Sequence, residues 1–157
     1  MQYTYEFELF RGETEWCITA FDFFGVTQGV DIEDACRSAA DVVRIVAQDH
    51  LMRGYTMPRA TFGNSPKHGG ILVIVSVDTS LSDIPRVSAS EAARMLGVSR
   101  SRVSAMLSTH LLEGWRDGRN TWVTKESVQA RLDDPRPAGR PAKSQRKVCD
   151  TADAASD

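Results

Sequence analysis

The amino-acid sequence predicts an α+β protein with two small domains: a β-β-β-α-β domain over residues 1–83, and a domain of short helices with a hairpin over residues 84–132. Two observations support this division. In the first half, apolar side chains recur with the period of strands and then with that of a helix. Charge also changes sign midway: residues 1–83 contain six Lys and Arg against twelve Asp and Glu, whereas residues 84–147 contain thirteen against six.

The chain opens with a predicted hairpin. Residues 2–9 alternate apolar and polar side chains, which predicts a half-buried strand. Its buried face would carry Tyr3, Tyr5, Phe7 and Leu9, and its exposed face Gln2, Thr4, Glu6 and Glu8. Residues 11–14 have the composition of a turn, and residues 15–21 supply a second strand with Trp16 and Ile18 on one face.

A third strand, a helix and a fourth strand complete the predicted domain. The third strand is short and lies around residues 26–28, after which Asp31 caps a helix that runs to about Met52. The apolar stripe of this helix is Ile32, Ala35, Cys36, Ala39, Val43 and Val46. Residues 71–77 form a continuous apolar run, which predicts a strand buried on both faces.

Three segments of this half form a recognisable pattern in their order along the chain. They are the stretch Ala20-Phe21-Asp22-Phe23-Phe24-Gly25-Val26-Thr27-Gln28-Gly29, the helix start Ile32-Glu33-Asp34-Ala35 and the exit Gly54-Tyr55-Thr56-Met57-Pro58. Together they resemble the HicB antitoxin family. Phe21 and Phe24 depart from the family, in which prolines are common at these positions. The resemblance implies a degraded ribonuclease-H-like domain without enzymatic activity, which binds a small basic RNA-cleaving toxin of the HicA type. We assign toxin contact to Asp22, Phe23, Phe24 and Gln28.

Two other interpretations of the acidic half remain open. Its carboxylates can simply form a solvated surface. A metal-dependent nuclease is a further alternative, because Asp22 and Asp78 lie near strand ends, but such sites need several converging carboxylates. For Asp22 the sequence favours a structural role in capping a turn.

The second half carries a helix-turn-helix pattern. Ser88 and Glu91 form a capping box for the first helix, Gly97 reverses the chain and Ser99 caps the second helix. The apolar side chains predicted between the helices are Ala92, Met95, Leu96, Val98, Val103 and Leu107. This stretch resembles the helix-turn-helix of MerR proteins and phage excisionases, in which Ser-x-x-Glu-Ala-Ala and Gly-Val-Ser-Arg are frequent.

A hairpin and a closing helix give this domain the layout of a small winged helix-turn-helix. Trp115 and Trp122 flank the turn at residues 117–120, and Thr124 caps a helix that runs through Leu132. We expect the tryptophans to form local core rather than to stack on bases. The predicted DNA contacts are Ser99, Arg100, Ser101, Arg102 and Ser104 on the second helix, and Arg119 and Asn120 on the wing.

The remaining sequence features narrow the protein class. Residues 133–157 are rich in Pro, Ala and charge, which predicts disorder, and Pro137–Pro141 partly resembles an AT-hook. Three widely spaced cysteines, Cys17, Cys36 and Cys149, are read as reduced thiols, and no cofactor or metal site is predicted. The chain has neither a leader-like start nor a long apolar run, so we expect a cytoplasmic protein that does not bind membranes.

Together these features predict an antitoxin that also represses its own operon. Its partners would be a small basic HicA-like toxin and double-stranded operator DNA. Because small domains bury modest cores, we expect a homodimer or a higher homo-oligomer. The first alternative is a stand-alone regulator or excisionase-like protein whose amino-terminal domain only dimerises, and the second is the nuclease.

Overall fold

The computed structural model describes residues 1–135. The predicted AT-hook-like contact and most of the predicted disordered tail lie outside the described residues. The strands are β1 (Gln2–Arg11), β2 (Trp16–Ala20), β3 (Val26–Gly29), β4 (Ile71–Asp78), β5 (Arg86–Ser88), β6 (Gly114–Asp117) and β7 (Asn120–Thr124). The α-helices are α1 (Ile32–Arg53), α2 (Ala89–Leu96), α3 (Arg100–Ser108) and α4 (Lys125–Asp133). The general α+β class is confirmed.

The first domain is an antiparallel sheet in the order β3-β2-β1-β4, with α1 packed against one face. Tyr5, Phe7 and Leu9 point from β1 into the core beneath the helix, as the alternation predicts. The helix approaches β3 closely at Gly29, where a Cβ atom would lie 2.3 Å from the backbone nitrogen of Ala35. Only glycine fits there, so this position sets the packing of α1 on the sheet.

Helix α1 has the predicted caps and a shifted apolar face. The Asp31 side chain accepts a hydrogen bond from the Asp34 N–H, and Gly54 ends the helix with φ of 70°. The buried residues are Ala35, Ala39, Val43 and Ala47. Ile32, predicted in the stripe, is 44% exposed, because the contact follows the row at four-residue spacing and leaves the first turn at its margin.

The prediction that the fourth strand is buried on both faces is wrong. Strand β4 lies at the edge of the sheet and pairs only with β1 within the described residues. Val75 and Val77 are buried, whereas Ile71, Leu72 and Ile74 are exposed. A run of β-branched residues favours a strand, but its burial depends on which elements cover its two faces.

The predicted exposure of Glu6 and Glu8 is also wrong, since both side chains are buried. Residues 61–70 of the connection between α1 and β4 supply the hydrogen bonds that hold these carboxylates. This segment covers polar positions of β1 that alternation assigns to solvent.

The second domain contains a three-stranded sheet in the order β5-β7-β6 and the helices α2, α3 and α4. Its buried core comprises Val87, Ala89, Ala92, Ala93, Val103, Met106, Leu112, Val123 and Val128. Met95, predicted between the helices, is 42% exposed, and Met106 of α3 is buried. None of the helices within residues 1–135 is both long enough and apolar enough to cross a membrane.

Candidate nucleic-acid interface

The turn between α2 and α3 is defined by three local signals. The Ser88 hydroxyl accepts a hydrogen bond from the Glu91 N–H at 3.1 Å, which starts α2. Gly97 has φ of 65°, and the Val98 N–H donates to the Ala93 carbonyl at 3.0 Å, which ends α2 and reverses the chain. Ser99 then caps α3, because its hydroxyl accepts from the Arg102 N–H at 3.1 Å. These caps set where the first turn of α3 begins.

Helix α3 separates an apolar face from a polar one. Val103 and Met106 are buried against the domain core. The predicted DNA contacts on this helix, Ser99, Arg100, Ser101, Arg102 and Ser104, are all exposed. Arg100 and Arg102 stand in the first turn, where the partial positive charge of the helix end disfavours a cation. An anionic partner at this end would relieve that conflict.

The β6–β7 hairpin, which follows α3 in the chain, has the geometry of a short wing. Asp117 pairs with Asn120 across a two-residue turn in which Gly118 has φ of 56°. Arg116, Arg119 and Asn120 are exposed on this hairpin. The wing therefore adds two arginines to the polar surface, one of which, Arg116, was not among the predicted contacts.

Arg86 fixes the base of the wing, a role that sequence reasoning missed. Its guanidinium lies 5.0 Å from the ring centroid of Trp122 and 5.8 Å from that of Trp115. It also donates to the carbonyls of Leu81 and Ser82, each at 3.1 Å. Trp115 is buried and Trp122, which faces it across the strands, is partly buried, so burial agrees with the local-core expectation for Trp115 and only in part for Trp122. Arg86 lies 29 residues before Trp115 in the chain, so no local signal in the sequence points to this contact.

The arginines of helix α1 and those of the second domain differ in their partners. In α1, Arg37, Arg44 and Arg53 each form an ion pair with a carboxylate of the same helix. Within residues 84–135, by contrast, Arg94, Arg100, Arg102, Arg116 and Arg119 have no carboxylate within ion-pair distance. An unpaired arginine keeps its charge and its donors available to phosphates or base edges.

Part of the basic charge lies beyond the described residues. Residues 84–135 contain eight Lys and Arg against six Asp and Glu, and the other five Lys and Arg of the basic half lie between 136 and 147. The folded domain therefore contributes local arginine clusters on α3 and the wing rather than a large net charge.

The residues assigned to toxin contact have two kinds of environment. The Asp22 carboxylate accepts hydrogen bonds from the N–H and hydroxyl of Thr61 at 3.0 and 2.6 Å. The Phe23 ring packs edge-on against Tyr5 at 5.0 Å between centroids. Phe24, at 96% exposure, and Gln28 are open to solvent. Asp22 and Phe23 thus stabilise the fold, which leaves Phe24 and Gln28 as accessible candidates.

Two buried carboxylates on β1, Glu6 and Glu8, have lowered pKa values. Glu6 accepts hydrogen bonds from the Gly63 and Asn64 N–H groups and the Asn64 amide, and these bonds lower its pKa. Glu8 accepts from the N–H groups of Lys67, His68 and Gly70 at 2.6–3.1 Å. Burial alone would raise the pKa of Glu8, but these bonds and the His68 ring outweigh it and lower the pKa to about 2.

The acidic residues considered for nuclease chemistry do not converge. Asp22 is held by Thr61, whereas Asp78 pairs with the amino terminus at 2.7 Å. Over residues 1–135, no group of three or more His, Cys, Asp or Glu side chains is arranged to hold a metal ion. Cys17 and Cys36 are free thiols.

No family model, curated protein or solved structure matches this chain.

Proposed function

We propose that this protein is a sequence-specific DNA-binding repressor that also serves as the antitoxin of a type II toxin–antitoxin system. In this proposal, α3 and the wing bind the operator, and the acidic domain, degraded ribonuclease-H-like in fold, neutralises a small basic HicA-like toxin. The observation that supports DNA binding most directly is the exposed first turn of α3, where Arg100 and Arg102 have no carboxylate within ion-pair distance.

DNA recognition follows from the geometry of this surface. A helix that presents its amino-terminal turn can enter the major groove, where an arginine donates two hydrogen bonds to guanine O6 and N7. Ser101 and Ser104 lie on the exposed side of α3 and are suited to phosphates or base edges. The Ser99 cap fixes where α3 begins and therefore which of its side chains lie in the first turn.

Toxin capture is supported by the HicB resemblance and by charge. A protein that cleaves RNA presents a positive surface to phosphates, and the excess of Asp and Glu in residues 1–83 complements such a surface. Phe24 supplies an exposed aromatic side chain for the same contact. We place the toxin contact around Phe24 and Gln28.

The DNA-binding part is tested with duplex from the region upstream of the protein's own gene. Arg100→Ala should weaken binding by about 1–3 kcal/mol and relax the preference at one base pair. Arg44→Ala is a matched control, since it removes one positive charge from an ion-paired position on α1. Equal affinities for the wild type and the Arg100→Ala variant would contradict the proposed role of α3.

The antitoxin part is tested by tagging the protein at its chromosomal locus, purifying it gently and identifying companions by mass spectrometry. A small basic protein in a constant ratio supports the proposal. Recovery of the protein alone, or only with DNA, supports the stand-alone regulator. The free edge of β4 gives the first domain a means of self-association without a toxin, as this alternative requires.

A further inference from the structure

Strand β4 presents an unprotected edge of the first sheet. Within residues 1–135 it pairs with β1 on one side and with no strand on the other. The sequence ILVIVSVD carries no charge before its final Asp, and Ile71, Leu72 and Ile74 are 56%, 39% and 62% exposed. Long apolar edges are normally blocked by charges, proline or bulges, because they pair readily with other strands.

The hydrogen-bond ladder between β1 and β4 shows which backbone groups of β4 point toward the open side. Met1 and Thr79 exchange both backbone hydrogen bonds, at 3.0 and 3.2 Å. In an antiparallel pair such residues alternate with residues that do not bond to the partner strand. Ile71, Val73, Val75 and Val77 therefore bond to β1, and the N–H and C=O groups of Leu72, Ile74 and Ser76 point to the open side.

We infer that the partner of this edge is the β4 strand of a second copy, paired antiparallel about a two-fold axis at Ile74. In this register Ile74 opposes its own copy, Leu72 opposes Ser76 and Val73 opposes Val75. Every opposed pair within Ile71–Val77 is uncharged, and Asp78 falls opposite Gly70 outside the strand. The edge is thus complementary to itself in both backbone bonding and charge.

The opposite edge of the sheet does not compete for this pairing. Strand β3 has four residues, Val26–Gly29, and its last residue is pressed against α1. Head-to-tail addition of β4 to β3 would therefore form a short ladder and an open-ended polymer. The two-fold pairing of β4 uses the longer edge and closes after two copies.

The inferred dimer sets the separation of the two DNA-binding domains. Asp78 lies four residues from the axis, so the two Asp78 ends stand about 27 Å apart at a rise of about 3.4 Å per residue. Each continues through residues 79–85 into β5. Half-sites one DNA turn apart are separated by about 34–36 Å, which is the spacing to test against this dimer. This consequence rests on the proposed DNA binding, whereas the pairing of β4 does not.

Sedimentation velocity of the full chain tests the interface. We expect the wild type to be a dimer at tens of micromolar and Ile74→Lys to be a monomer, because two lysines would oppose each other at the axis. Val26→Lys, at a position 61% exposed on the other edge, should remain a dimer. Circular dichroism and thermal unfolding verify that each variant is folded. A monomeric wild type, or a dimer that Ile74→Lys does not dissociate, overturns the inference.

Cysteine cross-linking tests the register of the pairing without introducing a charged side chain. In a hydrogen-bonded antiparallel pair the Cα atoms are about 5.5 Å apart, within the range of a disulfide. Ile74→Cys should therefore form a covalent dimer on mild oxidation. Ser76→Cys lies on the same edge, but its two copies would be about 14 Å apart, and it should cross-link no more than the wild type. Equal cross-linking at the two positions overturns the two-fold register.

Failure of this inference can be told apart from failure of the proposed function. A β4 dimer that binds no DNA from its own upstream region leaves the interface intact and removes the repressor role. A wild-type protein that binds this DNA only as a monomer supports the repressor role and removes the β4 interface. If both the β4 dimer and the DNA-binding proposal are correct, the Ile74→Lys variant binds an isolated half-site as the wild type does. It loses only the tighter binding of the dimer to paired half-sites.

Discussion

At the residue scale, Glu6 and Glu8 show where alternation along a strand ceases to predict burial. Their positions on β1 place them on the face away from the core, and both are nevertheless buried under residues 61–70. A buried carboxylate is stable only if hydrogen bonds replace its water, and backbone N–H groups of this loop supply them. The glycine-bearing composition of residues 63–70 indicated a loop, but the strand face that it covers depends on the path of the chain in three dimensions.

The lowered pKa of Glu8 predicts that the protein loses stability in acid. A carboxylate whose pKa falls from 4.5 to about 2 on folding stabilises the native state above pH 4.5, and this contribution disappears as pH falls toward 2. Glu8→Gln should lower the free energy of unfolding by about 2 kcal/mol at pH 7 and by less at pH 3. Urea unfolding at both values measures the difference.

Glu13 provides the control for Glu8, because it is an exposed carboxylate in the turn between β1 and β2. Glu13→Gln should change the free energy of unfolding by less than about 0.5 kcal/mol at either pH. If Glu8→Gln differed from the wild type equally at pH 7 and pH 3, the stabilisation would not come from the ionised carboxylate.

His110 is the one described residue other than glycine with a positive φ, at 56°. It follows α3 in a turn that the Leu111 N–H closes on the Met106 carbonyl at 2.8 Å. Because a side chain is disfavoured in this conformation, His110→Gly should raise the free energy of unfolding by about 0.5–1 kcal/mol relative to His110→Ala. Equal stability of the two variants in urea unfolding would show that the turn is not strained.

At the scale of elements, local signals in the sequence predicted where the helices and strands lie. Burial was harder to predict, because it depends on contacts between residues far apart in the chain. Caps at Asp31, Ser88, Ser99 and Thr124 set the starts of all four described α-helices. Met95 and β4 were assigned too much burial, because hydrophobicity does not tell which neighbour covers a side chain. The exposed residues of α3 could be predicted, because they follow from the helix period and from the Ser99 cap immediately before the helix.

The recognition helix and the wing should contribute to DNA binding in different ways. Arg119 sits in a two-residue turn at the tip of the β6–β7 hairpin, where it can contact phosphates or the minor groove. Arg119→Ala should weaken binding uniformly across sequences and reduce the slope of log affinity against log salt concentration by about 1. Binding titrations over a salt series measure this slope. A change of base preference without a change of slope would instead assign Arg119 to base recognition.

At the scale of the whole molecule, the two domains contact each other at the carboxyl end of α1. A cleft of about 300 Å³ lies there, lined by Asp49, Met52, Arg53, Leu107, His110, Leu112, Glu113 and Gly114. Helix α1 forms one side of this cleft, and Leu107 of α3 and the start of β6 lie on the other side. A ligand that shifts α1 would therefore change the shape of a cleft that α3 and β6 also line.

This arrangement predicts that toxin binding changes DNA affinity, on the proposal that both ligands bind this chain. Coupling of about 1–3 kcal/mol corresponds to a change of roughly 5- to 150-fold, and DNA must alter toxin affinity by the same factor. Titrating operator binding at increasing toxin ratios measures one direction, and toxin binding with saturating operator measures the other. Met52→Ala, which reduces the contact in the cleft, should diminish the coupling more than the two separate affinities. DNA affinity that stays constant at every toxin ratio would show that the two domains act independently.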